Sequence, residues 1–213
     1  MTQIAHPIPL LIQPLGRSSR SLALKVVAFG MLYGLAMGSY GLGHDRILQP
    51  LISASKVPLL LMVTFILSLP SFFVINTLIG LRDDFRIATR ALVQTQLAFT
   101  VILVSLAPLT LVWYASDPTY PAAVVFNGVM FFIASISAQV VLIRLYRPLI
   151  AKDRRHRAMM FLWAIIYSFV AIQMAWVLRP FIGSPGSAVR FFREGAWGNA
   201  YVEVVRLVIE MFR

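Results

Sequence analysis

The sequence predicts an all-α integral membrane bundle of five transmembrane helices followed by a C-terminal amphipathic interfacial helix, and three observations lead there. The 213 residues are 59% hydrophobic with a mean hydropathy of +0.81, above the roughly 45–50% apolar share of soluble domains. Five apolar runs recur along the chain, each of about twenty residues or more and so able to cross a hydrocarbon core of roughly 30 Å. Charged residues gather in the short segments between these runs. Such a chain has room for its spans and loops but not for a separate soluble domain. It divides into an interfacial segment (1–21), a five-span domain (22–178) and an interfacial loop with its helix (179–213).

In the first segment Pro7, Pro9 and Pro14 stand among Ile and Leu, and Arg17-Ser18-Ser19-Arg20 closes it. Basic residues after the apolar part are the reverse of a signal peptide, so the segment is expected to stay and lie along the membrane surface. Leu22 to Leu42 is the first span, with Lys25 snorkelling to the headgroups. Gly30, Gly34 and Gly38, at spacing four, make a groove that another helix backbone can approach. That helix belongs either to the same chain or to a second copy.

Val57 to Gly80 is free of charge and forms the second span. Lys56 is placed at the membrane surface and Pro58 in the first helical turn, where proline is tolerated. Pro70 is mid-helix and predicts a kink, with Ser68 or Ser71 available to the freed carbonyl. The third span is Ala91 to Trp113, with Gln94 and Gln96 near its start and Pro108 near its end. A turn at Asp117-Pro118 follows, and Trp113, Tyr114 and Tyr120 mark an interface belt. Pro121 to Ile143 is the fourth span, with Asn127 and Gln139, and Ala158 to Leu178 the fifth, with Gln173.

After Arg179, proline and glycine stop the helix. Phe191, Phe192, Arg193 and Trp197 read as an interface anchor. From Ala200 to Phe212 a charged stripe of Glu203, Arg206, Glu210 and Arg213 lies opposite an apolar face. This helix is too short to span and suits a membrane surface or a partner.

Charge sets orientation. The amino-terminal segment, the second loop and the fourth loop carry eleven Lys and Arg against two, Arg46 and Lys56, in the loops opposite, which puts the amino terminus in the cytoplasm. The tail then lies outside, although five arginines of its own weigh against that side. The net charge of +11 points to anionic lipid headgroups rather than nucleic acid. Absence of cysteine excludes disulfides, thiolate metal sites and a thiol nucleophile.

No catalytic constellation emerges. His6, His44 and His156 are expected at or outside the interface, leaving no intramembrane histidine for proteolysis or haem. No Asp or Glu falls inside a span to relay protons. One histidine beside one aspartate in Gly43-His44-Asp45 is too little for a metal or hydrolase site. No cofactor is expected. The intramembrane amides form two layers by depth: Asn76, Gln94, Gln96 and Gln139 roughly 5–8 Å inside the cytoplasmic face, and Asn127 with Gln173 near the outer face. Either they fix helix packing by interhelical hydrogen bonds or they line a polar path; the apolar middle of each span favours packing.

Ser55 to Leu61 with Leu69-Pro70, and Trp176 to Pro185 followed by Phe191-Phe192-Arg193 and Gly198-Asn199, resemble a family of small bacterial polytopic membrane proteins without assigned activity. That resemblance implies a multi-pass protein of the bacterial inner membrane. The five-span layout is similar to the Yip family, whose members act as scaffolds and adaptors rather than enzymes. The expectation is therefore a non-catalytic subunit or scaffold of a larger membrane complex, with a homo-oligomeric channel or small-solute transporter as the alternative. Its partners would be the bilayer, other membrane subunits and further copies of itself. The tail, with Arg179, Phe191, Phe192, Arg193, Trp197 and Arg206, is the expected partner or lipid interface.

Overall fold

The computed structural model describes residues 19–41, 47–116, 118–184, 189–192 and 198–202. Among these the chain is helical and without strands: α1 (Ser19–Gly38), α2 (Leu48–Leu78), a 3-10 turn (Arg82–Asp84), α3 (Phe85–Ala115), α4 (Tyr120–Lys152) and α5 (Arg155–Leu178). All five helices are long and apolar enough to cross a membrane. A further helical turn starts at Ala200; the charged stripe from Glu203 to Arg213 lies outside the described residues, as do Arg193, Trp197, residues 1–18 and the Gly43-His44-Asp45-Arg46 loop.

Packing follows a ring. Helix α1 lies against both α2 and α3, α3 packs on α4, α2 on α5, and a sparser α4–α5 contact closes the circle. The end holding Tyr40, Pro118 and Arg179 is called here the tail end, and the end holding Arg82, Lys152 and Arg155 the basic end. Two apolar clusters fill the interior: one toward the basic end around Phe72, Leu142, Tyr146 and Trp163, the other toward the tail end around Tyr33, Val57, Leu103 and Met130.

The α1–α2 contact is the tightest in kind. A Cβ at Gly34 would lie 2.5 Å from the Ser53 carbonyl oxygen and 2.6 Å from Ala54 Cα, and one at Gly38 would lie 2.7 Å from Pro50 Cα. At Gly30 the neighbour is Pro58, at 3.3 Å. The glycine row thus faces α2 of the same chain, backbone on backbone.

Helix ends differ from those expected of the sequence. α2 begins at Leu48, so Pro58 is internal and Pro50 is the proline of the first turn, whose missing N–H costs nothing there. α3 starts at Phe85 and α4 runs on to Lys152. A charge-free run marks the hydrocarbon; the helix itself continues past it, because exposed Arg86, Arg144 and Arg147 extend their stems toward the headgroups without breaking backbone hydrogen bonds.

Gly80 ends α2. Its φ is +81°, the Leu81 N–H donates to the Asn76 carbonyl at 2.8 Å and the Gly80 N–H to that of Thr77 at 3.1 Å. This six-to-one and five-to-two pairing caps the last carbonyls and needs a residue free to adopt left-handed φ.

Gly34→Ala is expected to destabilise the protein by about 1–3 kcal/mol, as overpacking does. Gly128→Ala, where nothing lies within 4 Å of the added Cβ, should be neutral or stabilising by up to about 1 kcal/mol through helix propensity. Thermal melting of the two purified variants in one detergent checks the pair, and equal melting temperatures would remove the seam from its role.

Candidate functional site

At the tail end the first turns of α2 set Gln49, Ser53 and Lys56 on one face, at spacings of four and three. All three are buried, with Lys56 at 0% exposure. What buries them is the chain that follows α5. Residues 180–183 cross the end of the ring as a strap, and each of its first three carbonyls meets a side-chain donor. Lys56 Nζ donates to Pro180 O at 2.6 Å. Ser53 Oγ and Gln49 Nε2, the latter at 3.3 Å, donate to Phe181 O. Tyr120 Oη donates to Ile182 O at 3.4 Å. Ile182 is buried among Tyr33, Met37 and Val57, and Gly183 lies so close to Gln49 that a Cβ would meet its amide oxygen at 2.9 Å. Irregular backbone is stable at membrane depth only when its polar groups find partners in protein. Here α2 and α4 supply them.

Lys56, expected at the membrane surface, is sealed beneath the strap, and the Phe191 ring lies 5.0 Å from its ammonium, an arrangement in which the π face substitutes for part of the lost hydration. Phe191 packs edge to face on Phe192. Arg179 lies over the Trp176 ring at 3.3 Å.

The amides divide. Asn127 holds three helices together at the tail end: it accepts from Tyr33 Oη at 3.2 Å and donates to Tyr114 Oη at 2.6 Å and to its own helix at Ala123 O. Gln173 does not meet it. Both Gln173 atoms turn to the tail, donating to Gly198 O at 3.1 Å and accepting from the Ala200 N–H at 2.9 Å. Beside it Tyr201 stacks on Phe169 with ring centroids 4.3 Å apart. In the other layer, Asn76 donates to Phe72 O of its own helix, and Gln94 lines neither the cavity that Gln96 lines nor a hydrogen-bonded cluster among the described residues. Gln96 and Gln139 come together, lining one open-sided cavity of about 440 Å³ between α2, α3, α4 and α5. There Tyr167 Oη donates to Gln96 Oε1 at 3.2 Å. Pro70 lies inside α2, and the buried Ser68 hydroxyl near it makes no hydrogen bond among the described residues.

A charged cluster at the basic end escaped the sequence reading. Asp84 accepts from Lys152 Nζ at 2.6 and 2.8 Å and lies 3.2 Å from His156 Nε2. His156, expected at or beyond the interface, is fully buried. Nearby, Arg155 chelates Asp153 through its backbone N–H, Nε and Nη2, and its Nη1 reaches Ile79 O at 2.7 Å. These bonds hold the Asp153 carboxyl down at about 2, well below the usual range. The signal in the sequence was the pairing of Asp83-Asp84 with the most basic loop, but 72 residues separate Asp84 from His156. Among the described residues no group of three His, Cys, Asp or Glu could hold a metal ion.

Replacing Gln49 by Leu together with Ser53 by Ala leaves the Phe181 carbonyl buried without a donor. The double variant is expected to lose about 1–3 kcal/mol and to gain protease cleavage beyond Arg179. Limited proteolysis alongside thermal melting checks this, and a tail as resistant as that of the parent would show that the strap does not depend on these donors. Comparison of the chain with protein-family models, with curated proteins and with solved structures finds no match to any of them.

Proposed function

We propose that this protein is a non-catalytic integral membrane subunit or scaffold of a larger membrane complex, seated in the bacterial inner membrane with its amino terminus in the cytoplasm. The observation that carries the reading is the construction of the tail end. Side chains of α2 and α4 fix residues 180–183, and α5 fixes residues 198–201. These contacts anchor residues 180–183 and 198–201 on the bundle, and anchored residues keep the ordering cost of binding low. Phe192 and Val202 are exposed. Several polar groups elsewhere serve the fold: Asn127 bonds neighbouring helices, Asn76 its own helix and Gln173 the tail, and the Asp84 cluster ties α4 and α5 to the turn before α3.

One observation, the cavity between α2, α3, α4 and α5, favours a second reading as a homo-oligomeric channel or small-solute transporter. Stoichiometry of gently solubilised material separates the two, since foreign subunits that co-purify support the scaffold and a pure symmetric homo-oligomer supports the pore.

Deletion of Val189–Arg213 leaves the strap in place and should give an inserted, folded bundle that no longer co-purifies partners; retention of every partner would refute the assignment of this surface. A reporter fused at Arg154 should appear in the cytoplasm, and a signal from the opposite side would overturn the orientation.

A further inference from the structure

Two cavities share a wall near the middle of the bundle. The larger, of about 440 Å³, falls in the size range of small-molecule sites. Its walls are aromatic, with Phe99, Phe131, Phe132, Trp163 and Tyr167, and its polar lining is neutral: Thr95, Gln96, Ser135, Gln139 and Ser168, without one charged side chain. The smaller, of about 280 Å³, lies between α1, α2 and α3 and is apolar except for Gln96. Leu61 and Gln96 line both.

The larger cavity lies beside the α4–α5 seam, the weakest contact of the ring, where Phe132 on α4 and Ile172 on α5 line it and are exposed at 65% and 53%. In a bilayer that side faces hydrocarbon. Whatever occupies the cavity is delivered from the lipid phase and carries no net charge there, because no charged group awaits it and a bare charge would be stranded in low dielectric.

The hydrogen-bonding capacity of the walls specifies more. Gln96 Oε1 is taken by Tyr167, which leaves its NH₂ to donate. The half-buried Gln139 amide makes no hydrogen bond among the described residues, and leaving such an amide unpaired beside hydrocarbon is unfavourable. Thr95 gives its proton to Ala91 O. Both carboxamides thus keep N–H donors that a ligand carbonyl oxygen can meet, while the Gln139 oxygen and the Ser135 and Ser168 hydroxyls of the lining leave room for a ligand hydroxyl beside it.

We propose that the paired cavities bind one neutral, membrane-dissolved molecule, its carbonyl oxygens against Gln96 and Gln139 between the aromatic walls and its hydrocarbon tail in the apolar groove beyond Gln96. A quinone ring and a glycerol ester both present this chemistry. The inference does not depend on assembly into a complex, because its test uses the isolated protein.

The test reconstitutes the full chain in phosphatidylcholine nanodiscs and follows tryptophan fluorescence with three quenching probes: a decyl-substituted benzoquinone, a dibrominated diacylglycerol, and dibromodecane, which lacks a carbonyl. A Trp163→Phe variant isolates the signal from the cavity wall. Saturable quenching of Trp163 by the quinone or by the diacylglycerol is expected and tells which source is recognised. Gln139→Leu should weaken it tenfold or more, and Ser168→Phe, at the exposed rim, should obstruct it. Absence of saturable quenching by either carbonyl probe in the unsubstituted protein would overturn the proposal. So would quenching by dibromodecane equal to theirs and unchanged in Gln139→Leu.

Discussion

A backbone carbonyl buried away from water has to find a donor in the protein, and the tail end of this molecule is built around that requirement. Helices meet it internally, but residues 180–183 are not helical and carry Ile182 into the tail-end core. Gln49, Ser53, Lys56 and Tyr120 answer carbonyl by carbonyl. Gln49, Ser53 and Lys56 sit under the strap because α2 begins far ahead of its charge-free part, and α1 approaches it closely along the glycine row at the corner of the ring.

Charge is treated differently at the two ends. At the basic end a carboxylate, an ammonium and an imidazole are set together, so that the Asp84 charge is balanced where it is least hydrated. Lys56 at the tail end has a carbonyl dipole and an aromatic face instead of a carboxylate. Dipole and quadrupole stabilise a cation less than a full opposite charge does, and the lysine retains its place because strap and helix enclose it together.

The number of spans was legible because five apolar runs admit little else in a chain of 213 residues. Helix ends were less so, since hydropathy reports where hydrocarbon begins, and Arg144 and Arg147 ride on a helix that continues beyond it. For the amides, spacing from the loops gave depth but not direction. Gln96 and Gln139 share a cavity, whereas Asn76, at comparable depth, turns to its own backbone, and Gln173 turns to the tail instead of Asn127. Rotation about a helix axis is set by tertiary packing, and a uniformly apolar span carries little periodic signal of it. The burial of His156 was hidden for a related reason. A histidine next to arginines reads as solvated until its distant partner, Asp84, is known.

The strap also imposes an order in time. Its contacts with Lys56 and Ser53 close loops of 124 and 128 residues, whereas α1 and α2 are neighbours along the chain. Contacts between near segments form early, and those that close long loops form late because the loss of chain entropy precedes any gain. During maturation, then, the α1–α2 hairpin can be complete while Gln49, Ser53 and Lys56 still face whatever occupies the unsealed end. Until the strap arrives, that row of donors is unpaired, and its pairing marks the last step by which the end of the ring is closed.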